Sequence, residues 1–260
     1  MLPKLSVLDS WISTGTPAEF VAAILRLGAQ RVSAYVCFAN VHMVVEAQQD
    51  PGFRQILDNA ALVAPDGSPV AAALHRLNPG STPQPRVAGM DLLPALLEAA
   101  AHSGQSVYFY GTTEEVLAAI VARARRELPT LRIAGTCSPP FRPLTPEEDA
   151  AEVAAINATD PDLVFVALGC PRQERWMAAH QGRIRACMLG VGQAFPVYAG
   201  LERRLPVWAR KLWLEWAYRL WLEPRRLWRR YLLTNSRFMY LVARRVTAQL
   251  VGRPLPRPVA

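Results

Sequence analysis

The chain lacks any stretch that reaches the roughly 18 uncharged apolar residues of a membrane span, and its opening, MLPKLSVLDSW, lacks the long apolar run of a secretory signal. Membrane contact is therefore expected from the cytosolic side. Only four cysteines are present, Cys37, Cys137, Cys170 and Cys187, with no C-x-x-C pair and no histidine at zinc spacing. Neither a disulfide framework nor a metal site is readable from that scatter, and a reduced cytosolic setting fits it. No complete G-x-G-x-x-G follows an apolar run, which removes the usual dinucleotide fingerprint. Acidic side chains are scarce in one place: residues 200–260 hold 3, against 14 lysines and arginines.

That shortage exposes an asymmetry hidden in the net charge of +8, because residues 1–199 are about −3 and the remainder about +11. Five of the seven tryptophans, Trp208, Trp213, Trp216, Trp221 and Trp228, share the basic end. Arginine interleaved with tryptophan suits an anionic membrane surface, with nucleic acid as the alternative partner.

At 260 residues the chain can bury a full core. Apolar, β-rich runs at 33–39, 61–65, 106–111, 131–136, 162–169 and 186–192 alternate with helix-period segments near 41–49, 68–77, 91–103, 113–128, 146–158 and 171–180. This alternation predicts an α/β fold with a mainly parallel, Rossmann-like sheet and helices on both faces. Past Gly200 the strands stop. Leu212, Trp213, Trp216, Ala217, Leu220 and Trp221 make one apolar helix face, Pro224 should break it, and Leu227, Trp228, Tyr231 and Leu232 restart it. The reading is an α/β domain over 1–199 and a basic, tryptophan-rich helical appendage over 200–260 that associates with membranes.

Four segments fall at or just after the carboxyl ends of the expected strands, the rim where a parallel sheet holds its ligands. They are FANVHMVVEA (38–47), PDGSPV (65–70) with RVAGMDLL (86–93), ALGCPRQERW (167–176) and GVGQAFPVYAG (190–200). Gly169, Gly190 and Gly192 allow backbone amides close to a phosphate, although glycines after strands are also plain turn residues. Asp66 stops a strand just before a helix. Its carboxylate fits a helix cap, and it fits a general base.

Taken in order, Asn40, Asp50-Pro51, Asp66-Gly67, Arg86 to Leu92, Gly169 to Glu174, Gly190 to Phe195 and Glu215 to Tyr231 resemble the motifs of the WecG/TagA/CpsF glycosyltransferases. The resemblance covers most of residues 38–231. It implies a metal-independent, inverting enzyme, with no cofactor. Such an enzyme moves a hexose from a UDP-sugar to a polyprenyl-diphosphate-linked sugar, as a peripheral protein at the cytosolic face of the inner membrane. Self-association is left open. The family's general base aligns with Asp66. Arg86 matches an arginine that would neutralise the departing UDP, or else is a surface residue ending a Pro-rich loop. Gln173 would hydrogen-bond a sugar or simply begin a helix, and Asn40 would orient a donor hydroxyl or cap one. Arg219, Arg225 and Arg226, in the segment that matches best, would touch a diphosphate at the mouth of the site.

One position departs from the pattern: two residues before Asn40, where many relatives carry a threonine thought to touch substrate, this chain has Phe38. A phenyl ring cannot replace that hydrogen bond. The donor sugar then differs from N-acetylmannosamine, or the contact is made elsewhere, and exopolysaccharide-building relatives of the xanthan type make glucose the other candidate. Asp160-Pro161-Asp162 precedes a strand and so belongs at the opposite rim, as a turn and not a metal site. Two other classes compete: a nucleotide-binding α/β enzyme without a lipid acceptor, which would need the missing glycine fingerprint, and a nucleic-acid binder using the +11 tail, which leaves Asp66, Arg86 and Gln173 without a role.

Overall fold

A computed structural model of the chain describes residues 1–203, 218, 220–221 and 224–251, with backbone only at 224–227 and 229–231. A small antiparallel hairpin, β1 (Lys4–Val7) and β2 (Ser10–Ser13), precedes helix α1 (Pro17–Ala29). The main body then runs β3 (Ala34–Ala39), α2 (Val41–Gln49), α3 (Pro51–Asn59), β4 (Leu62–Pro65), α4 (Ser68–Leu77), α5 (Gly89–Ser103), β5 (Ser106–Gly111), α6 (Glu114–Glu127) and β6 (Arg132–Cys137). It continues through α7 (Pro146–Ala158), β7 (Leu163–Ala167), α8 (Arg172–His180), β8 (Cys187–Gly190), α9 (Ala194–Tyr198) and α10 (Pro224–Leu250).

Six strands form one parallel sheet in the order β4-β3-β8-β7-β5-β6. Their side chains divide by the alternation of a pleated strand. Tyr35, Cys37, Val63, Tyr110, Val164 and Met188 face one core with α2, α3, α4, α7 and α8. Val36, Phe38, Leu62, Phe109, Phe165 and Leu189 face the other, with α1, α5, α6 and α9. The strands are apolar throughout because both faces are covered, and the α/β expectation with helices on both sides holds. The chain leaves β3 and β7 toward the first face and β8 toward the second, so neighbouring exits diverge and open a crevice at the carboxyl rim.

Several elements lie outside the predicted pattern. The hairpin turns through Leu8 (φ 48°) and Asp9 (φ 66°), a left-handed pair that usually calls for Asn-Gly or Asp-Gly. Helix α1 carries a readable start, since Thr16 and Glu19 form a reciprocal capping box. Helices α3 and α9 are only nine and five residues long, too short for a clear period.

Helix α10 begins at Pro224, the position where proline is tolerated because a first-turn N–H has no intrahelical partner. The expected stripe residues Leu212, Trp213, Trp216 and Ala217 lie outside the described residues. The second half of α10 is docked on α2 and α4. Phe238 is fully buried in the first core, with Leu241, Val242 and Val246 packed beside it. Arg245 Nη2 meets Asp9 Oδ1 at 2.7 Å, and Gln249 Nε2 donates to Leu77 O at 2.9 Å. Trp221, Trp228, Leu232, Leu233, Met239 and Tyr240 remain exposed. No helix among the described residues is long and apolar enough to cross a membrane.

Candidate active site

Strand ends carry the site. Asp66 directly follows β4, and its backbone N–H donates to Ala39 O, the last carbonyl of β3, at 2.9 Å. It therefore lies beside Asn40. The N-cap position of α4 is Gly67, with φ 106°, and Asp66 stands one residue before it. Glycine is suited there because a side chain at positive φ is strained.

Asn40 does act as a cap: its Oδ1 accepts from Met43 N at 3.1 Å and starts α2. Its Nδ2 is the donor it can still offer at the rim. Val87 N–H donates to Pro65 O at 3.0 Å, which lays the Arg86-Val87 segment against Pro65-Asp66. The half-buried Arg86 guanidinium stands 3.9 Å from Asp91 Oδ2 in the first turn of α5. Two backbone hydrogen bonds thus gather Asn40, Asp66 and Arg86, which are 46 positions apart at the extremes, at the ends of two adjacent strands.

Farther along the rim, β7 runs out into a turn at Gly169 (φ 78°), and Gly169 O accepts from Gln173 N at 2.8 Å. This bond folds the first turn of α8 back over the end of β8. Gln173 is 5% exposed, and its Nε2 donates to Gly190 O and to Glu174 Oε1, each at 2.8 Å. A Cβ on Gly190 would fall 2.8 Å from Met177 Cε and 3.0 Å from Gln173 Nε2, and one on Gly192 would fall 3.2 Å from Gln173 Oε1. These glycines make room for the Gln173 amide. The N–H groups of Val191 and Gly192 both donate to Val166 O, at 2.9 and 3.2 Å, so the Gly192 amide is held within the fold instead of pointing at a ligand. Adjacent strands are about 4.8 Å apart, which puts the end of β8 on the order of 10 Å from Asp66, with β3 between them.

Glu174 is a residue that sequence reasoning did not single out, although it ends the G-x-P-x-Q-E motif. It is fully buried, and burial raises its carboxyl to a pKa of about 7, opposed by hydrogen bonds from Gln173 and Cys170. An acidic residue in a first helical turn normally faces water, so its burial was not readable from the pattern.

Helix α8 is braced from behind. The Trp176 ring stacks between Tyr110 of β5, with centroids 4.4 Å apart, and His180, at 4.1 Å. His180 Nε2 meets Asp149 Oδ1 of α7 at 2.8 Å, and Arg175 Nη2 meets Asp50 Oδ2, the cap of α3, at 2.6 Å. Next to this brace, a cavity of about 460 Å³ opens at the ends of β5 and β7, lined by Tyr110, Pro143, Thr145, Leu168, Arg172 and Trp176.

The remaining sequence expectations place themselves plainly. Phe38 is buried in the second core, its ring within van der Waals reach of a Cβ built on Gly89. Asp160 and Asp162 sit at the opposite rim, where Asp162 Oδ2 accepts from Ser106 N at 2.7 Å and Arg31 pairs with both, so the turn reading holds. Arg219 lies outside the described residues. Arg225 and Arg226 are in the first turn of α10, with backbone alone described. Among the described residues no three His, Cys, Asp or Glu gather as a metal site.

A model of the glycosyl transferase WecG/TagA/CpsF family matches residues 5–251. An N-acetylglucosaminyldiphosphoundecaprenol N-acetyl-beta-D-mannosaminyltransferase of Bacillus spizizenii is 36% identical over 205 residues, 78% of this chain and 76% of that protein. A Staphylococcus aureus protein of the same name is 30% identical over 214 residues, 81% of this chain and 80% of its own length.

Proposed function

The chain belongs to the WecG/TagA/CpsF family of glycosyl transferases, and from that premise we propose that it transfers a hexose, glucose or N-acetylmannosamine, from a UDP-sugar to a polyprenyl-diphosphate-linked sugar. The transfer inverts the anomeric centre, needs no metal, and takes place at the cytosolic membrane face during synthesis of a bacterial cell-surface or exopolysaccharide. The observation that carries this reading is the joining of Asp66, Asn40 and Arg86 at one rim by the Asp66 N to Ala39 O and Val87 N to Pro65 O bonds.

Each group there has a role in a single displacement. The Asp66 carboxylate accepts the proton of the acceptor hydroxyl as that oxygen attacks the anomeric carbon. The bond to UDP breaks with its electron pair on the diphosphate, and the Arg86 guanidinium, steered by Asp91, meets the charge that develops there. Asn40 offers Nδ2 to a donor hydroxyl. Gln173 contacts the sugar from the β8 side. The diphosphate contact expected from one or more of Arg219, Arg225 and Arg226 belongs to the same reading, with those side chains outside the described residues.

The exposed apolar side chains of α10, among arginines of an arm at +11, support a bilayer interface over a nucleic acid, because lipid rewards both kinds of residue. Purified full-length protein, given a panel of UDP-sugars and a synthetic lipid-diphosphate-sugar acceptor, should extend the acceptor by one hexose. Hydrolysis of UDP-sugar with no acceptor extension would overturn the lipid-acceptor assignment, and binding to DNA in preference to anionic vesicles would overturn the membrane one.

A further inference from the structure

Gln173 and Glu174 are consecutive, yet their side chains are hydrogen-bonded to each other inside the protein. Consecutive helical side chains normally point in different directions. Here both Nε2 protons of Gln173 are committed, one to Gly190 O and one to Glu174 Oε1. Gly190 O is an acceptor under any conditions, so the nitrogen has to lie on that side and the amide cannot be flipped. The consequence is a fixed carbonyl. Gln173 Oε1 lies over Gly192, where an added Cβ would be only 3.2 Å away, and it has no hydrogen-bond partner although it is buried.

A buried, unpartnered amide oxygen is costly, and such an atom at a ligand rim marks a contact that the ligand completes. We propose that Glu174 is a positioning residue that locks the Gln173 amide with its oxygen toward the bound sugar, so that Gln173 acts only as an acceptor and selects a sugar hydroxyl that donates to it. This rests on the UDP-sugar reading above. Gly190 O supplies one anchor and Glu174 the second; with one anchor alone the amide plane can still rotate about the bond to Gly190 O. Glycine at 190 and 192 follows from the same arrangement, since side chains there would displace the amide.

Binding, not turnover, gives the cleaner test, using full-length protein and UDP-glucose and UDP-N-acetylmannosamine analogues in which each sugar hydroxyl in turn is replaced by fluorine. Fluorine keeps the size of the hydroxyl and loses its proton. In the wild type one analogue should bind about 10-fold more weakly than its parent, the size expected for a lost hydrogen bond to a buried group. That selective penalty should vanish in Gln173→Ala, shrink in Glu174→Ala and persist in Glu174→Gln, whose own amide oxygen can still accept from Gln173 Nε2. An undiminished penalty in Glu174→Ala would overturn the positioning role, and equal binding of every analogue to the wild type would overturn the hydroxyl contact.

The ligand-free protein provides a second readout that does not depend on the proposed substrate. Both side-chain amide protons of Gln173 should exchange slowly with solvent by NMR, and one should become fast in Glu174→Ala. If UDP-sugars fail to bind but this pattern holds, the fault lies with the substrate assignment; if both protons exchange fast in the wild type, the locked amide itself is wrong.

Discussion

Around β3 and β4 the rim presents ionisable side chains on connecting segments, half open to solvent, whereas around β7 and β8 it presents an amide and a carboxyl buried in the first turn of α8. Asp66 and Arg86 are brought together by backbone bonds, Asp66 N to Ala39 O and Val87 N to Pro65 O, and Arg86 faces Asp91. Gln173 and Glu174 are held by their own side-chain hydrogen bonds, beneath a helix braced by Trp176, His180, Asp149 and Arg175. On the proposed mechanism the difference separates two tasks. A proton acceptor works where water and substrate can reach it, and a selective contact works where neither partner can move.

Removing the chemistry from the first region should have the largest effect. Asp66→Asn should lower turnover by roughly 10² to 10⁴. Near-wild-type turnover in that variant, measured with donor saturating, would return Asp66 to the role of a turn residue. Arg86→Lys should cost about 10²-fold in kcat, since a point ammonium cannot reproduce a forked guanidinium contact with a diphosphate. A fully active lysine variant would remove the clamp and blur the contrast between the two regions.

In the second region the first expected effect is on stability. Glu174 has its pKa raised to about 7 from an ordinary value of 4.5 by burial, with Cys37, Cys170 and Gln173 as its neighbours. Between those two pH values the folded protein keeps a proton that the unfolded chain has released. Stability from this group is therefore present below pH 4.5, falls as pH rises toward 7, and levels off above it, with a total on the order of 3 kcal/mol. Glu174→Gln cannot ionise, so urea unfolding should show the variant gaining on the wild type from pH 5 to pH 8. Parallel pH dependence of the two proteins would mean that the carboxyl is hydrated.

The smallest change should come from Gly190→Ala. Its Cβ meets the flexible end of Met177, which can yield, and the hydrogen-bonded Gln173 amide, which must be displaced, so the stability cost should be about 1 kcal/mol. Its visible effect should be on the fluorine discrimination, as the Gln173 amide is pushed aside. Gly89→Ala is the control, because a Cβ there makes only ordinary contact with the Phe38 ring.

Much of the body is legible in the sequence: the boundaries of α2, α4 and α7 follow directly from apolar period, caps and prolines. Where the sequence is silent, the cause is physical. Leu8 and Asp9 adopt left-handed conformations that their residue types do not advertise. Phe238 looks like any apolar helix residue, and only the pocket formed by α2 and α4 makes it a core side chain. For the same reason the tail is not a detachable anchor, since truncation at residue 200 would take Phe238 and the Arg245–Asp9 pair out of the fold. Within the site, Asn40, Asp66, Arg86 and Gln173 were each readable as candidates, but Glu174 was not, because burial of a first-turn acid depends on the neighbouring β8 glycines.

Of all measurements, the anomeric configuration of the transferred sugar tests the mechanism most directly. Full-length protein should be incubated with an α-linked UDP-hexose and a soluble lipid-diphosphate-sugar acceptor, and the new linkage read from its proton and carbon couplings by NMR. A β linkage is expected, as one displacement assisted by Asp66 inverts the centre. An α linkage would contradict it and require a different use of this rim.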